Sequence, residues 1–540
     1  MSTGAAVSTG SAVSTAVAVT GRAPAGERFV ARAAAATAVL TAAGALAGLL
    51  RDQLVASLFG ADGATDAFLV SWTVPEVAAT LLIDEAMALV LVPAFSLALA
   101  HGTHGGVRGL IRATLPRLLL ALAVPTAALA AGAPLVVGVL APGLPDPALA
   151  VDCTRLTAVT LLTFGVAGYF SAALRAHRSF LPPAAIHLSC NAGIIGTALA
   201  CHALWGVRAA AAGVAFGGLL MVLVQLPFFL RIRLRAPRRR PAPHAVAVPA
   251  LLSVALPVAL FALARQSQVL AERFLASGLP PGAISCLNYA QKVAQLPMVL
   301  AMMICTVTLP LVARAVAAGD LERARRRVER DLVAAGVVVL LGAAYVTALA
   351  PQIIRLLFER GAFDAEATAA TAAVMRVYAL GLLGHTLTGA LVRPFFSAGR
   401  PTWFPFAAML PGLLVTVAGG LVAVGPLGAP GIAAANAAGI TLTALLLLRG
   451  LATRTVPVDA RRLLGRFARL AAAALAAAAA GWATAPPGPS PLPALALGCL
   501  VVPAVFALAA RVLRVPGAVL LPAVLTTRIG NLKQRSHHAR

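Results

Sequence analysis

Charge is scarce in this chain of 540 residues. Only 11% of them are Asp, Glu, Lys or Arg, 60% are hydrophobic, and the mean hydropathy is +0.91. That balance excludes a soluble domain of ordinary make-up and leaves a polytopic membrane protein. Acidic residues are the rarer sign, 18 against 43 basic, and among the basic ones only Lys292 and Lys533 are lysine. The net charge of +25 would suit nucleic acid if it were gathered on a soluble domain. Scattered through short loops, it points to membrane topology, and no nucleic acid partner is expected. Cys153, Cys190, Cys201, Cys286, Cys305 and Cys499 stand singly in or beside apolar runs, which excludes a disulfide framework and a metal-ligand spacing. No phosphate-binding glycine loop, nucleophile elbow or Ser-His-Asp order is present, so neither an enzyme nor a cofactor is expected.

What is present is a series of long apolar runs. A spanning helix needs about 20 apolar residues. On that rule the chain yields fourteen, near residues 29–50, 66–100, 114–141, 153–174, 180–203, 208–230, 249–276, 283–315, 331–350, 366–392, 403–425, 428–448, 465–485 and 491–513. Basic residues mark alternate loops. They include Arg108 and Arg112, Arg175 and Arg178, the run Arg231 to Arg240, Arg323 to Arg330, Arg400, Arg461 and Arg462, and the tail. The loops GADGAT, APGLPDP, ASGLPPG, VGPLGAP and APPGPSP between them have no basic residue, the exceptions lying at Arg208, Arg355 and Arg360. By the positive-inside rule both termini are cytoplasmic. Abundant Ala and Arg suggest a GC-rich bacterial genome, hence a bacterial plasma membrane.

A short repeat divides the spans. FSAALRAHRSFLPPAA (Phe170 to Ala185) resembles FFSAGRPTWFPFAA (Phe395 to Ala408), six spans further on. An even offset gives both copies the same orientation, as in two-lobed transporters with parallel repeats around a central cavity. The expected organisation is a disordered leader over 1–27, a first lobe over 28–230, a basic linker over 231–248, a second lobe over 249–450, two further spans over 451–515 and a basic tail over 516–540.

The chemistry lies in charges inside these spans. RDQLVASLFGADGATDAFLVSWTVPEVAATLLIDEAMALVLVP, residues 51 to 93, places Arg51, Asp52, Asp66, Glu76, Asp84 and Glu85 in or beside apolar helix. Each costs roughly 2.5 to 3.5 kcal/mol at the centre of a membrane, so such groups face a watered cavity or a partner. Pro75 and Pro93 are expected to break the helix, as in discontinuous helices that line cavities. In the second lobe Arg265, Gln268 and Glu272 share one helix face, Arg273 follows, and Lys292 lies in the next span. Two readings are open. Cations from both lobes would hold a phosphorylated substrate; alternatively Arg51 pairs with Asp52 or Asp66, and Arg273 with Glu272, as structural ion pairs.

These residues resemble the MurJ/MviN family, the lipid II flippases of peptidoglycan synthesis in the multidrug/oligosaccharidyl-lipid/polysaccharide exporter superfamily. The likeness runs from about residue 40 to 515. It is most specific in RDQLVASLFGADGATDAF (Arg51 to Phe68), AISCLNYAQKVAQLP (Ala283 to Pro297), TVTLPLVAR (Thr306 to Arg314) and LLFERGAFDAEATAATAAVMRVYALGL (Leu356 to Leu382). The resemblance implies fourteen helices in two lobes around a cationic cavity, with the last two forming a lipid-tail groove. Arg51 matches a cavity arginine and Asp66 the acidic residue opening span two. Lys292 stands where the family has arginine, and Glu359 and Arg360 match a loop of structural role. Arginines expected before Arg51 and in span two fall at Ala45 and Ala79, Asp84 matches a glutamate, Glu85 replaces glycine, and Gln295 replaces a glutamate. Span eleven lacks the carboxylate with which some members bind sodium.

The function implied is an alternating-access flippase for a polyprenyl-pyrophosphate-linked saccharide. Arg51, Arg273 and Lys292 would touch the headgroup, Asp66 would orient one of them, and Glu76, Asp84, Glu85, Arg265 and Glu272 would serve gating or coupling. Membrane lipids and proteins of cell-wall synthesis or division are the other partners expected. The alternatives are a multidrug-type exporter coupled to a cation and a non-transporting scaffold of cell-wall synthesis.

Overall fold

The structure, a computed structural model, describes residues 25–100, 104–235, 248–397, 402–485 and 490–515. Residues 1–24 of the expected leader, 236–247 of the linker and the tail from 516 lie outside the described residues, as do the side chains of Asp84 and Glu85.

The described residues form helices and no strand, as apolar backbone in a bilayer must satisfy its hydrogen bonds within each segment. The first half of the chain gives α1 (Ala25–Phe59), α2 (Gly63–Ala79), a π-helical turn (Thr80–Glu85), α3 (Ala86–Ala100), α4 (His104–Ala131), α5 (Ala133–Leu140), α6 (Pro147–Ala158), α7 (Thr160–Ala176), α8 (Leu181–Trp205) and α9 (Arg208–Arg235). The second half gives α10 (Val248–Ala276), α11 (Ala283–Ala294), α12 (Leu296–Ala317), α13 (Leu321–Phe358), α14 (Ala365–Ser397), α15 (Phe404–Leu427) and α16 (Ala429–Arg454). α17 (Ala460–Ala483) and α18 (Leu492–Val512) follow.

All fourteen expected spans are helical. Twelve stretches among the described residues are long and apolar enough to cross a membrane. The other two expected spans are α10, which carries Arg265, Glu272 and Arg273, and the broken pair α11 and α12, which carries Lys292.

The scarce acids start helices. Asp62, Asp146, Asp320 and Asp459 each accept a first-turn backbone N–H, at α2, α6, α13 and α17, each cap being worth about 1 kcal/mol. Pro75 and Pro93 do not break their helix. Both lie inside continuous helix from Gly63 to Ala100, and the irregularity falls between them, in the π turn. Proline lacks the N–H that would reach the Ser71 carbonyl, and Thr157 donates its hydroxyl to that carbonyl at 3.1 Å instead; the π turn, a feature common at functional sites, follows at Thr80–Glu85.

The repeat holds in three dimensions where it is described. α8 packs on α9 and α7 on α9, as α15 packs on α16 and α14 on α16. The helices that open the repeat's second elements start alike, at Phe180 and at Trp403, each followed by proline in the first turn. α17 and α18 pack on each other and on α13. The two halves meet along α10 against α2, α3, α5 and the π turn, along α11 against α2, and at α1 against α13.

Candidate functional site at the seam between the halves

Arg51 lies two turns before the end of α1, and α11 brings Lys292 to it from the second half. Asp52 stands between them. Its Oδ1 accepts from Nε and Nη2 of Arg51 at 3.0 and 2.7 Å, and its Oδ2 lies 3.2 Å from Nζ of Lys292. The third face of the Arg51 guanidinium donates to Oδ1 of Asn191 at 3.1 Å, while the Trp72 ring lies 5.9 Å from its central carbon. Asn191 is fixed in turn, donating to the carbonyls of Gly44 and His187 at 3.2 and 2.9 Å. Glu76 is near enough for its charge to act on Arg51. These groups are accessible: the side chains of Arg51, Asp52 and Lys292 are 15%, 11% and 27% exposed.

Two cations sharing one carboxylate retain a positive charge. An ionised phosphoryl oxygen entering there meets an arginine fork, a lysine point charge and an amide, the set that recognises phosphate. Asp52 holds the pair together in its absence, which limits the penalty for two cations in a low-dielectric slot.

Asp66 completes the start of a helix in the other half. It is 3% exposed, and its carboxylate accepts from the backbone N–H of Gly282 at 2.8 Å and from N–H and Oγ of Ser285 at 2.7 and 2.5 Å. Gly282, the N-cap of α11, has no side chain to cap with, so α2 of the other half supplies the cap. Glycine is required there on two counts: φ is +92°, and a Cβ would stand 2.2 Å from the carbonyl of Ala61. Ser285 and Lys292 are seven residues apart and so share one face of α11. That face is therefore tied to the first half at two levels, by Asp66 and by Asp52.

The same seam carries further ties. Ala362 donates to the carbonyl of Ser57 at 2.9 Å, and Gly143 to Oγ of Ser277 at 3.3 Å. Glu359 pairs with Arg355 at 3.3 Å and Arg360 donates to the carbonyl of Leu356 at 2.7 Å, so the loop implied to be structural is stapled to its own helix.

Arg273 and Glu272 depart from expectation. Both are 2% exposed. Arg273 donates to the carbonyl of Ile284 at 3.1 Å and to Asn288 at 3.0 Å, pinning α10 to α11. Glu272 accepts from Nδ2 of Asn436 at 2.6 Å, and Asn436 meets His385 at 3.1 Å. Glu272 points toward α16, and Arg273 ties α10 to the start of α11. Arg265 is exposed, and its neighbour Gln266 reaches Thr80 of the π turn at 3.3 Å. An apolar cleft of about 580 Å³ between α2, α5, α10 and α15, lined by Val74, Val139, Phe274 and Leu421 among others, offers no polar group to a headgroup.

Asn191 was missed in the sequence, where its signal is a lone carboxamide in an apolar run. Asp52 was read as a partner of Arg51 but not as the link to Lys292.

A polytopic helical protein with a charged slot along the seam of two like halves is of the transporter class. The family model for the lipid II flippase MurJ matches residues 55–486. A lipid II flippase MurJ of Burkholderia cenocepacia is 30% identical over 448 residues, covering 79% of this chain and 84% of that protein. A probable lipid II flippase MurJ of Rhizobium meliloti is 30% identical over 453 residues, covering 79% and 82%. This chain belongs to the MurJ family. The fold agrees: a solved lipid II flippase MurJ in an inward closed conformation superposes with a TM-score of 0.70 at 19% identity, covering 88% of this chain and 99% of that one. An inward-facing multidrug resistance MATE family transporter of the MOP superfamily gives 0.64 at 14% identity, covering 78% and 95%.

Proposed function

We propose that this protein is an alternating-access flippase that carries lipid II, or a related polyprenyl-pyrophosphate-linked saccharide, from the inner to the outer leaflet of a bacterial plasma membrane. The observation that carries the reading is the Arg51–Asp52–Lys292 bridge, which joins the two halves through the groups suited to a pyrophosphate. Pyrophosphate oxygens compete with Asp52 for both cations, so binding the headgroup loosens one of the ties that hold α11 to the first half. Arg273 and Asp66 keep α11 in position and do not touch the substrate in this conformation.

Both termini lie in the cytoplasm in this reading, since the loops at the tied face are poor in basic residues. The lobes are 28–230 and 249–450, with 451–515 forming a groove for the lipid tail. Proteins of cell-wall synthesis or division would meet the basic loops. With no nucleotide site recognised in the sequence, membrane potential is the simplest drive, at about 2.3 kcal/mol per charge per 100 mV.

The test is complementation of a conditional lipid II flippase mutant by this chain and by Arg51→Ala, both expressed and inserted equally. Rescue by the first and not the second supports the reading. Failure of the intact, inserted chain rejects lipid II as substrate.

A further inference from the structure

A second cationic site lies far from the slot. α13 carries Arg323, Arg326, Arg327 and Arg330, positions that share one helix face. With Arg314 from the last turn of α12, and with Ala315, Ala318 and Asp320, they enclose a concavity of about 520 Å³. Its one carboxylate is occupied as a helix cap, accepting from the backbone N–H of Arg323 at 2.9 Å. Arg326 shares Glu322 with Arg325, at 3.3 and 2.8 Å, and Arg327 lies 3.4 Å from Asp331. The guanidinium groups of Arg314, Arg323 and Arg330 face no carboxylate within ion-pair distance among the described residues.

Five guanidinium groups lining one hollow repel each other, most strongly at three- and four-residue steps. An anion with several oxygens relieves that repulsion and can take paired N–H donors from more than one arginine. α12, of 22 residues, separates the hollow from Lys292 by roughly 30 Å, so it is not part of the slot. It sits where an apolar helix ends and a charged one begins, at the depth of lipid headgroups, where basic pockets between spans hold anionic lipid.

We propose that this hollow binds the phosphate of an anionic phospholipid headgroup. Free pyrophosphate shares the chemistry, and the experiment separates the two sources. The full-length protein is placed in phosphatidylcholine nanodiscs containing increasing phosphatidylglycerol, or in phosphatidylcholine alone with inorganic pyrophosphate, and its Tm is followed. Three proteins are compared: the natural chain, Arg323→Ala with Arg330→Ala, and Arg461→Ala with Arg466→Ala, which removes the same charge from α17. Alanine preserves the helix in each.

The expected result is a rise in Tm with phosphatidylglycerol for the natural chain and the α17 variant. The hollow variant should need roughly thirtyfold more of the lipid for the same rise, and any shift that pyrophosphate produces by entering the slot should be the same in all three proteins. An equal response of all three proteins, or an equal loss in both variants, overturns the site in favour of diffuse attraction. A pyrophosphate shift that vanishes in the hollow variant overturns the lipid as occupant.

Discussion

Two adjacent acid–base pairs lie in spans of this protein, Arg51 with Asp52 in α1 and Glu272 with Arg273 in α10, and they behave in opposite ways. In α1 the neighbours bind each other at 2.7 Å, stay partly exposed, and recruit Lys292 from across the seam. In α10 the neighbours turn apart: Glu272 goes to Asn436 on α16 and Arg273 to Ile284 and Asn288 on α11. Successive residues on a helix do not face each other, so an adjacent pair meets only where the surroundings let the longer side chain fold back. Around Arg51 the Trp72 ring and the Asn191 amide receive the folded-back guanidinium. Around Arg273 every direction is packed. An open pair can exchange its carboxylate for a substrate phosphate, whereas a closed one is architecture.

The largest effect should come from the cap that holds the open pair in register. Asp66→Ala leaves the N–H groups of Gly282 and Ser285 buried without an acceptor and frees the start of α11. Breaking such a buried charged contact costs about 3 to 5 kcal/mol, to be read as a marked fall in Tm of the purified protein. A Tm unchanged by Asp66→Ala would show that α11 is held from its own half. Next is Arg273→Ala, which removes two hydrogen bonds from a buried cation, at about 1.5 to 3 kcal/mol for a charged group. Complementation per folded molecule should survive it; a selective loss of rescue at full expression would place Arg273 among the substrate contacts after all.

The open pair should show the reverse pattern. Lys292→Ala leaves Arg51 and Asp52 as a neutral couple, so the Tm should change little while flipping falls roughly tenfold or more, the worth of one charge-assisted contact. Lys292→Arg keeps the charge and should retain rescue. If the alanine variant rescues as well as the natural chain, the headgroup is bound elsewhere.

That the chain is helical and crosses a membrane many times could be read from its apolar runs, because that pattern follows from the bilayer itself. That Arg51 and Lys292 would have partners was readable too, since a membrane charge demands one, and both meet Asp52. The cap was not: Asp66 and Gly282 are 216 residues apart, and nothing local says that a glycine N-cap is completed from another helix. The orientation of Arg273 was equally hidden, because the 100° step between helix neighbours can put either residue toward the chamber. Pro75 and Pro93 suggested a break, yet the helix runs on through a π turn between them. α7 packs closely on that turn: a Cβ on Gly168 would stand 2.5 Å from the carbonyl of Leu82. Gly168→Ala should therefore push on the turn and cost about 1 to 3 kcal/mol, visible as a lower Tm.

Glu272→Gln should have the smallest effect, and it tests the closed pair most directly. Glutamine has nearly the shape of glutamate and keeps an oxygen to accept from Nδ2 of Asn436, so the contact between α10 and α16 survives in geometry. What is lost is the negative charge beside Arg273, which already has the carbonyl of Ile284 and the Asn288 amide as acceptors. If the pair is architecture, a change of about 1 kcal/mol or less follows, and rescue persists with an unaltered dependence on membrane potential. If Glu272 instead carries a coupling charge through the cycle, the folded protein will stop flipping while its Tm stays near that of the natural chain. That result would move the function of α10 from holding α11 to driving it.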